Sequence, residues 1–181
     1  PEVVDAVTLL AEKRVLITGG GRGLGRAMCR SFSRHGASVA FSYRRSQEDA
    51  DHLVAELEGR GVRVAAFQVE VEDEDGTTAM VRQLEADWGG IDVVVNNAGI
   101  SQNLPLALLD IEDFDRVMGV NVRGAYITSR AVLRGMIRRK SGVVLHIGSL
   151  AGVRMIEAPI HYCASKAALV GMTQAMAKEV A

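Results

Sequence analysis

A tyrosine and a lysine, Tyr162 and Lys166, stand four residues apart near the end of the chain. Four residues is about one helical turn, so in a helix both side chains lie on one face. An ammonium group held beside a phenol favours the phenolate, and such a pair can move a proton at neutral pH. The same spacing arises by chance in many helices, so the rest of the chain decides its meaning.

The composition predicts one globular domain with a sizeable core, because the 181 residues are 48% hydrophobic and 24% charged. A net charge of −1 argues against nucleic-acid binding and against a polybasic membrane surface. Cys29 and Cys163 are too few for a disulfide framework and lack metal-ligand partners at suitable spacing. We therefore expect reduced thiols, no metal site and a cytoplasmic location. The sequence shows neither a transmembrane run nor a signal peptide over its first ten residues.

Short apolar runs alternate with longer amphipathic stretches, which predicts an α/β fold with a parallel sheet covered by helices on both faces. The predicted strands are 14–18, 37–43, 62–69, 91–95 and 142–147. The predicted helices are 23–35, 47–58, 74–88, 111–139 and the stretch from Tyr162 onward. Helical periodicity in the first helix places Leu24, Ala27, Met28 and Phe32 toward the core. Ligands of such sheets bind beyond the carboxyl ends of the strands.

A glycine-rich loop, residues 18–25, follows the first predicted strand. Glycines permit a tight turn and let the backbone approach a pyrophosphate at a helix N-terminus, whose N–H groups favour negative charge. An ordinary glycine-rich turn is the alternative interpretation. The position between the first strand and the first helix favours a dinucleotide site, with loop contacts expected from Thr18, Gly19, Gly21, Arg22, Gly23, Leu24 and Gly25.

The residues at the end of the second predicted strand indicate which dinucleotide binds. An NAD site usually places an acid there for the ribose 2′-hydroxyl, but this chain has Arg44 and Arg45 and no acid until Glu48. Guanidinium groups bind phosphate through paired donors, and Arg22 in the glycine loop adds another cation. The pattern favours NADP(H) over NAD(H). The alternative is that Arg44 and Arg45 are solvated loop residues.

Five separate elements together resemble the short-chain dehydrogenase/reductase family in type, order and spacing. They are Thr18-Gly19-x-x-x-Gly23-x-Gly25, Asn96-Asn97-Ala98-Gly99, Asn121, Ser149 and Tyr162-x-x-x-Lys166. The resemblance runs from about Lys13 onward and looks closest to the 3-oxoacyl-acyl-carrier-protein reductases. It implies a Rossmann doubly wound sheet in a single domain over residues 13–181, preceded by an N-terminal extension over residues 1–12.

The resemblance also implies roles for individual residues. Tyr162 would donate a proton to the substrate oxygen, and Lys166 would favour the phenolate and hold the nicotinamide ribose, so both also count as cofactor-binding. Ser149 would hydrogen-bond the substrate oxygen, and Asn121 would support a water that relays protons. The remaining implied cofactor contacts are Glu70, Val71, Asn97, Ala98 and Gly99. Family members often have Asp or Asn where Glu70 stands, so its extra methylene shifts the expected adenine contact.

The resemblance ends early, because the chain stops at Ala181 inside the helix that carries the tyrosine and the lysine. Family members continue with two further strands and a mobile substrate-binding segment. We therefore expect the C-terminal strands of the sheet order 3-2-1-4-5-6 to be missing, and their absence argues against activity of this piece by itself.

The favoured hypothesis is NADP(H)-dependent reduction of a ketone to a secondary alcohol, with a 3-oxoacyl thioester as the leading substrate. Sugars, alcohols and polyketide-type ketones are alternative substrates, and a nucleotide-binding fragment or scaffold without turnover is the alternative function. Implied partners are an acyl carrier protein and further copies of the chain in a dimer or tetramer. Two other features are interpreted as structural. His146 is expected to be a packed and satisfied strand residue, with membership of a catalytic triad as the alternative. The run Arg138-Arg139-Lys140 is expected to complement the C-terminal dipole of its helix, with docking of an acidic carrier protein as the alternative.

Overall fold

Runs of β-branched and apolar residues form five parallel strands in the computed structural model, which describes residues 8–180. The strands are β1 (Arg14–Ile17), β2 (Ser38–Tyr43), β3 (Val64–Gln68), β4 (Val93–Asn96) and β5 (Val143–His146). Each lies within one or two residues of a predicted strand, and β4 extends one residue further to Asn96. The predicted parallel α/β sheet is confirmed.

The strand order β3-β2-β1-β4-β5 places the first strand at the centre of the sheet. Ile17 of β1 lies opposite Phe41 of β2 on one side and Val95 of β4 on the other. The chain therefore leaves β1 toward one edge, returns, and continues from β4 toward the other edge. Parallel sheets bind ligands where the order reverses, which here is the crevice beyond β1 and β4.

Helices cover both faces of the sheet, and the alternating side chains of the strands point to two separate cores. On one face Ile17 and Phe41 pack with Leu53, and on the other Leu16 packs with Met80. The helices are α1 (Gly23–Arg34), α2 (Gln47–Glu58), α3 (Glu74–Trp88), α4 (Ile111–Met118), α5 (Gly124–Arg139) and α6 (Ile160–Val180). The predicted helix 111–139 is divided into α4 and α5 by a π-helical turn, Gly119–Arg123.

One core prediction is wrong. Leu24 is 58% exposed and Ala27 is also exposed, whereas the fully buried positions of α1 are Gly25, Cys29 and Ser33. These three small residues recur every four positions and allow α1 to lie close to the sheet. The predicted helical period is correct, but Leu24 and Ala27 lie on the exposed face of α1. Met28 and Phe32 pack partly buried against the core, as predicted.

The strand β5 lies at one edge of the described sheet, where Val143 and Leu145 are 49% and 44% exposed. The predicted N-terminal extension lies partly outside the described residues, since residues 1–7 and Ala181 are not described. None of the helices within residues 8–180 is long and apolar enough to cross a membrane. The same described residues contain no cluster of three or more His, Cys, Asp or Glu side chains suited to a metal ion.

Candidate active site

The glycine loop after β1 has a shape that side chains would prevent. Gly19 and Gly23 have φ values of +66° and +53°, in the left-handed region that glycine adopts without strain. A Cβ on Gly25 would lie 2.2 Å from the carbonyl oxygen of Gly19. A Cβ on Gly23 would meet no atom within 4 Å, so the beginning of α1 faces open space. This cradle fits a pyrophosphate, which binds to the free N–H groups at a helix N-terminus.

Thr18 and Asn97 hold the glycine loop against the end of β4. The Thr18 hydroxyl oxygen accepts hydrogen bonds from the backbone N–H groups of Asn97 at 3.0 Å and Ala98 at 3.1 Å. The Asn97 side-chain amide donates to the carbonyl oxygens of Thr18 at 2.9 Å and Gly19 at 3.2 Å. Thr18 is only 2% exposed, so its observed contribution is to the shape of the loop. Asn97 both shapes the loop and lines the cleft beside it.

A cleft of about 500 Å³ opens beside the loop at the carboxyl ends of the strands. It brings together all of the predicted cofactor contacts except Thr18, Tyr162 and Lys166. Those lining residues are Gly19, Gly21, Arg22, Gly23, Leu24, Gly25, Arg44, Arg45, Glu70, Val71, Asn97, Ala98 and Gly99. A larger cavity of about 740 Å³ lies between β5 and the ends of α5 and α6, away from these residues. The glycine cradle and the cations meet in the smaller cleft, which is the candidate dinucleotide site.

Lys166 lies in the interior at the junction of α6 and β5. It is 5% exposed, and its Nζ donates a hydrogen bond to the carbonyl oxygen of Ile147 at 2.6 Å. The same Nζ lies 5.7 Å from the centre of the Tyr162 ring. Burial lowers the pKa of Lys166 below its ordinary value, because desolvation disfavours the ammonium form. Within residues 8–180 no carboxylate forms an ion pair with Lys166.

Ser149 reaches the same junction through a short turn that packs on α6. It precedes a 3₁₀ turn, Leu150–Gly152, and its Oγ accepts a hydrogen bond from the N–H of Ala151 at 3.2 Å. A Cβ on Gly152 would lie 2.5 Å from the carbonyl carbon of Lys166. Because the turn contacts α6 this closely, Ser149 begins a segment that is fixed against the helix that carries the lysine. The hydroxyl proton of Ser149 stays available for donation, because the Oγ is the acceptor in the hydrogen bond with Ala151.

We expect Gly152→Ala to lower the free energy of unfolding by about 2 kcal/mol, because the added methyl group overlaps the α6 backbone. Moving the turn also displaces Ser149, so turnover should fall about tenfold or more. Urea unfolding and steady-state rates check both effects. Gly171→Ala is the matched control, because Gly171 lies on α6, the helix that the turn contacts, and a Cβ there would meet no atom within 4 Å. An unchanged rate and stability for Gly152→Ala would show that the turn does not position Ser149.

Asn121 lies in the π-helical turn and is 1% exposed. Its Oδ1 accepts a hydrogen bond from the N–H of Ile100 at 2.7 Å, and its Nδ2 donates to the Ile100 carbonyl at 2.9 Å. The Nδ2 also donates to Ser165 Oγ at 3.0 Å. A Cβ on Gly99 would lie 3.2 Å from Asn121 Oδ1 and 3.7 Å from Lys166 Nζ, so both groups approach the same glycine. The π turn therefore positions the Asn121 side chain beside Gly99 and Lys166. Support by Asn121 of a water that relays protons stays a prediction.

Comparison with known proteins assigns the family. A sequence model described as "short chain dehydrogenase" matches residues 13–181. The chain belongs to the short-chain dehydrogenase family. It is therefore an oxidoreductase of the kind that couples a nicotinamide cofactor, NAD or NADP, to carbonyl and alcohol chemistry.

Relatives of this short-chain dehydrogenase include reductases and sugar dehydrogenases. A 3-oxoacyl-acyl-carrier-protein reductase of Staphylococcus aureus is 32% identical over 93% of this chain and 69% of its own length. A short-chain dehydrogenase of Burkholderia cenocepacia, solved in complex with NADP, is 36% identical with a TM-score of 0.87, covering 94% of this chain and 69% of that one. An NAD⁺-bound xylitol dehydrogenase is 28% identical with a TM-score of 0.90, covering 95% of this chain and 66% of that one.

His146 of this short-chain dehydrogenase is half-buried, and its Nε2 has no hydrogen-bond partner among the described residues, so the prediction of a packed and satisfied histidine holds only in part. Its Nδ1 lies 3.3 Å from the side-chain amide nitrogen of Asn96, which also donates to Ser129 Oγ at 2.9 Å. Burial, and secondarily the charge of Lys166, lower the pKa of His146 below its ordinary value. A neutral ring accepting from Asn96 fits that direction.

The cleft of this short-chain dehydrogenase also contains residues that sequence reasoning missed. Ile100 follows directly after Gly99, so the strand-end rule applied one residue further would have found it. Arg116 and Val120 reach the cleft from α4 and the π turn. No local motif marks them, because their position depends on how α4 packs over the sheet. The other lining residues are Ser42, Tyr43, Ser46, Val69 and Glu72.

Proposed function

We propose that this short-chain dehydrogenase uses NADPH to reduce a ketone, with a 3-oxoacyl thioester as its substrate class. The observation that carries the proposal is the placement of Lys166. Its buried ammonium group lies 5.7 Å from the Tyr162 ring and donates to the carbonyl of Ile147, two residues before Ser149. One cation thus connects the proposed acid to the strand end that presents the proposed substrate-binding hydroxyl.

The residues divide the chemistry between proton donation and charge stabilisation. When bound, the nicotinamide supplies the hydride. Tyr162 donates its hydroxyl proton to the carbonyl oxygen of the substrate, and Ser149 donates a hydrogen bond to the same oxygen. Lys166 stabilises the phenolate that remains, because an ammonium group in a desolvated site attracts an anion more strongly than it would in water. Asn121, anchored to Ile100, supports the route by which the proton is replaced.

The cations of the cleft support NADP(H) as the cofactor. Four arginines line it, and guanidinium groups bind phosphate through paired donors. They are Arg22, Arg44, Arg45 and Arg116. The strand end that normally carries an acid for NAD instead carries Arg44 and Arg45. The related Burkholderia enzyme was solved with NADP, whereas the related xylitol dehydrogenase was solved with NAD⁺.

Apolar side chains beside Ser149 support an acyl substrate over a sugar. The segment between Ser149 and α6 exposes Leu150, Val153, Met155 and Ile156, by 62%, 61%, 104% and 45% respectively. An alkyl chain can cover such side chains, whereas the hydroxyls of a polyol gain no hydrogen bonds from them. The Staphylococcus relative is named for reduction of a 3-oxoacyl group on a carrier protein. The acyl carrier protein and the homo-oligomer stay predictions for this chain.

Spectrophotometric oxidation of NADPH tests the proposed function. We expect this enzyme to reduce an acetoacetyl thioester with NADPH about tenfold more efficiently than with NADH, which corresponds to about 1.4 kcal/mol. The 181-residue chain and any longer product of the same gene are assayed side by side. Xylitol with NAD⁺ is the comparison reaction for the sugar dehydrogenase alternative. Turnover of xylitol without turnover of the thioester would show that the substrate is a sugar alcohol and not an acyl thioester. Binding of NADPH without any turnover would favour a scaffold protein without enzymatic activity.

A further inference from the structure

Arg44 and Glu70 form an ion pair across the ends of two neighbouring strands. The Arg44 Nε donates to Glu70 Oε1 at 2.9 Å. The register of β2 and β3 ends with Tyr43 opposite Gln68, so the residues just beyond both strands come side by side. The Gln68 side-chain amide also donates to the carbonyl oxygen of Arg44 at 3.2 Å. The sheet itself therefore brings the guanidinium and the carboxylate together.

The pair lies in the wall of the dinucleotide cleft. Arg44 shares that wall with Arg22, Arg45 and Arg116, and none of these three forms an ion pair within the described part of the chain. Arg44 is thus the one cleft arginine whose charge is offset by a directly bonded carboxylate among residues 8–180. It also stands at the strand end where the ribose 2′ position is recognised in sheets of this kind.

Binding of a phosphate to Arg44 competes with Glu70 for the same guanidinium group. A guanidinium binds a phosphate best through two parallel N–H donors, and Glu70 already takes the Nε–H. A carboxylate next to Arg44 also repels a phosphate dianion, whereas it does not repel a neutral 2′-hydroxyl. Both effects weaken binding of NADP(H) and leave binding of NAD(H) nearly unchanged.

We propose that Glu70 is a specificity-determining residue that restrains the preference for NADPH over NADH by holding Arg44. This inference rests on the proposed function, in which both cofactors enter the cleft beside Arg44. The expected size is modest, because the Arg44 and Glu70 side chains are 45% and 53% exposed and solvent screens their interaction. Glu70→Gln should lower the Kd for NADPH about fivefold and change the Kd for NADH less than about twofold.

The test is titration of cofactor fluorescence for both nucleotides at low and high salt. Glu74→Gln is the matched control, since Glu74 is also 53% exposed, also pairs with an arginine, Arg130 at 2.6 Å, and lies outside the cleft lining. Arg44→Ala and the double variant Arg44→Ala/Glu70→Gln complete a double-mutant cycle, which measures the coupling between the two side chains. The gain from Glu70→Gln should shrink when Arg44 is absent, because only the direct repulsion between the carboxylate and the phosphate then remains, and it should also shrink at high salt.

The outcomes separate this inference from the proposed function. If Glu70→Gln weakened NADPH binding, left it unchanged, or tightened both nucleotides equally, the inference would be overturned even in an active NADPH-dependent enzyme. If the wild-type chain bound NADH alone, the proposed cofactor would be wrong. Acquisition of NADPH binding by Glu70→Gln would in that case still support the role of Glu70.

Discussion

Replacing Tyr162 by phenylalanine is expected to lower kcat for ketone reduction about a thousandfold, with the Kd for NADPH changed less than about threefold. The change removes one hydroxyl and keeps the ring, so packing beside Lys166 is preserved. Without the phenol, no group at this position can protonate the substrate oxygen as negative charge develops on it. Tyr162 also lies outside the lining of the dinucleotide cleft, so cofactor affinity should persist.

Tyr126→Phe is the control for loss of a tyrosine hydroxyl. Tyr126 lies on α5 and is 53% exposed, so its replacement should leave turnover and stability close to wild type. Stopped-flow measurement of NADPH oxidation gives the rate of the chemical step, and fluorescence titration gives the Kd. A Tyr162→Phe variant that kept its rate would remove Tyr162 from its role as the acid.

Replacing Lys166 by methionine is expected to abolish most turnover and, at the same time, to raise stability. Turnover should fall about a hundredfold or more, because the phenolate of Tyr162 loses its neighbouring cation. The free energy of unfolding should rise by about 1 kcal/mol near neutral pH. The reason is that a nearly fully buried ammonium, without a carboxylate partner among residues 8–180, is replaced by an apolar chain of similar length. A functional group held at a cost in stability has this signature.

The pH dependence of that stability gain follows from the lowered pKa of Lys166. The unfolded chain binds the lysine proton up to its ordinary pKa of 10.5, whereas the folded chain releases it at lower pH. The stability that Lys166 contributes to the wild-type protein is therefore fully present above pH 10.5. That contribution is lost as the pH falls through the pKa that Lys166 has in the folded protein. The advantage of Lys166→Met should narrow as the pH rises toward 10.5.

Lys178→Met is the control for this second prediction, because Lys178 lies on the same helix and is exposed. Its replacement should change neither turnover nor the pH dependence of unfolding. Urea unfolding at several pH values gives the free energies. A Lys166→Met variant that was less stable than wild type at every pH would show that the hydrogen bond to Ile147 outweighs the cost of the buried charge.

Local chemistry in the sequence was enough to predict the sheet, the glycine loop and the residues at the strand ends. Each of those features depends on residues close in the chain: Gly25 beside Gly19, Arg44 after β2, Asn97 after β4. Parallel strands then bring the strand ends to one edge whatever the packing details. This is why all but three of the predicted cofactor contacts line a single cleft.

Features that depend on packing between distant elements escaped prediction. The exposed Leu24 could not be told from a core residue by helical period alone, since the small residues Gly25, Cys29 and Ser33 form the buried face. The π turn that aims Asn121 interrupts what reads as one regular helix. The ion pair of Arg44 with Glu70 joins residues 26 positions apart, and no local sequence pattern predicts such a contact.

In the proposed reaction, Tyr162, Lys166 and the nicotinamide together deliver a proton and a hydride to a ketone. The most direct test of this reaction is the reduction of an acetoacetyl thioester by NADPH that carries deuterium at C4, supplied separately in its two stereochemical forms. We predict that the wild-type enzyme places deuterium on the former ketone carbon from one of the two forms, and that Tyr162→Phe transfers it about a thousandfold more slowly. Product without deuterium from either form, or equal rates of transfer in the two proteins, would contradict the account.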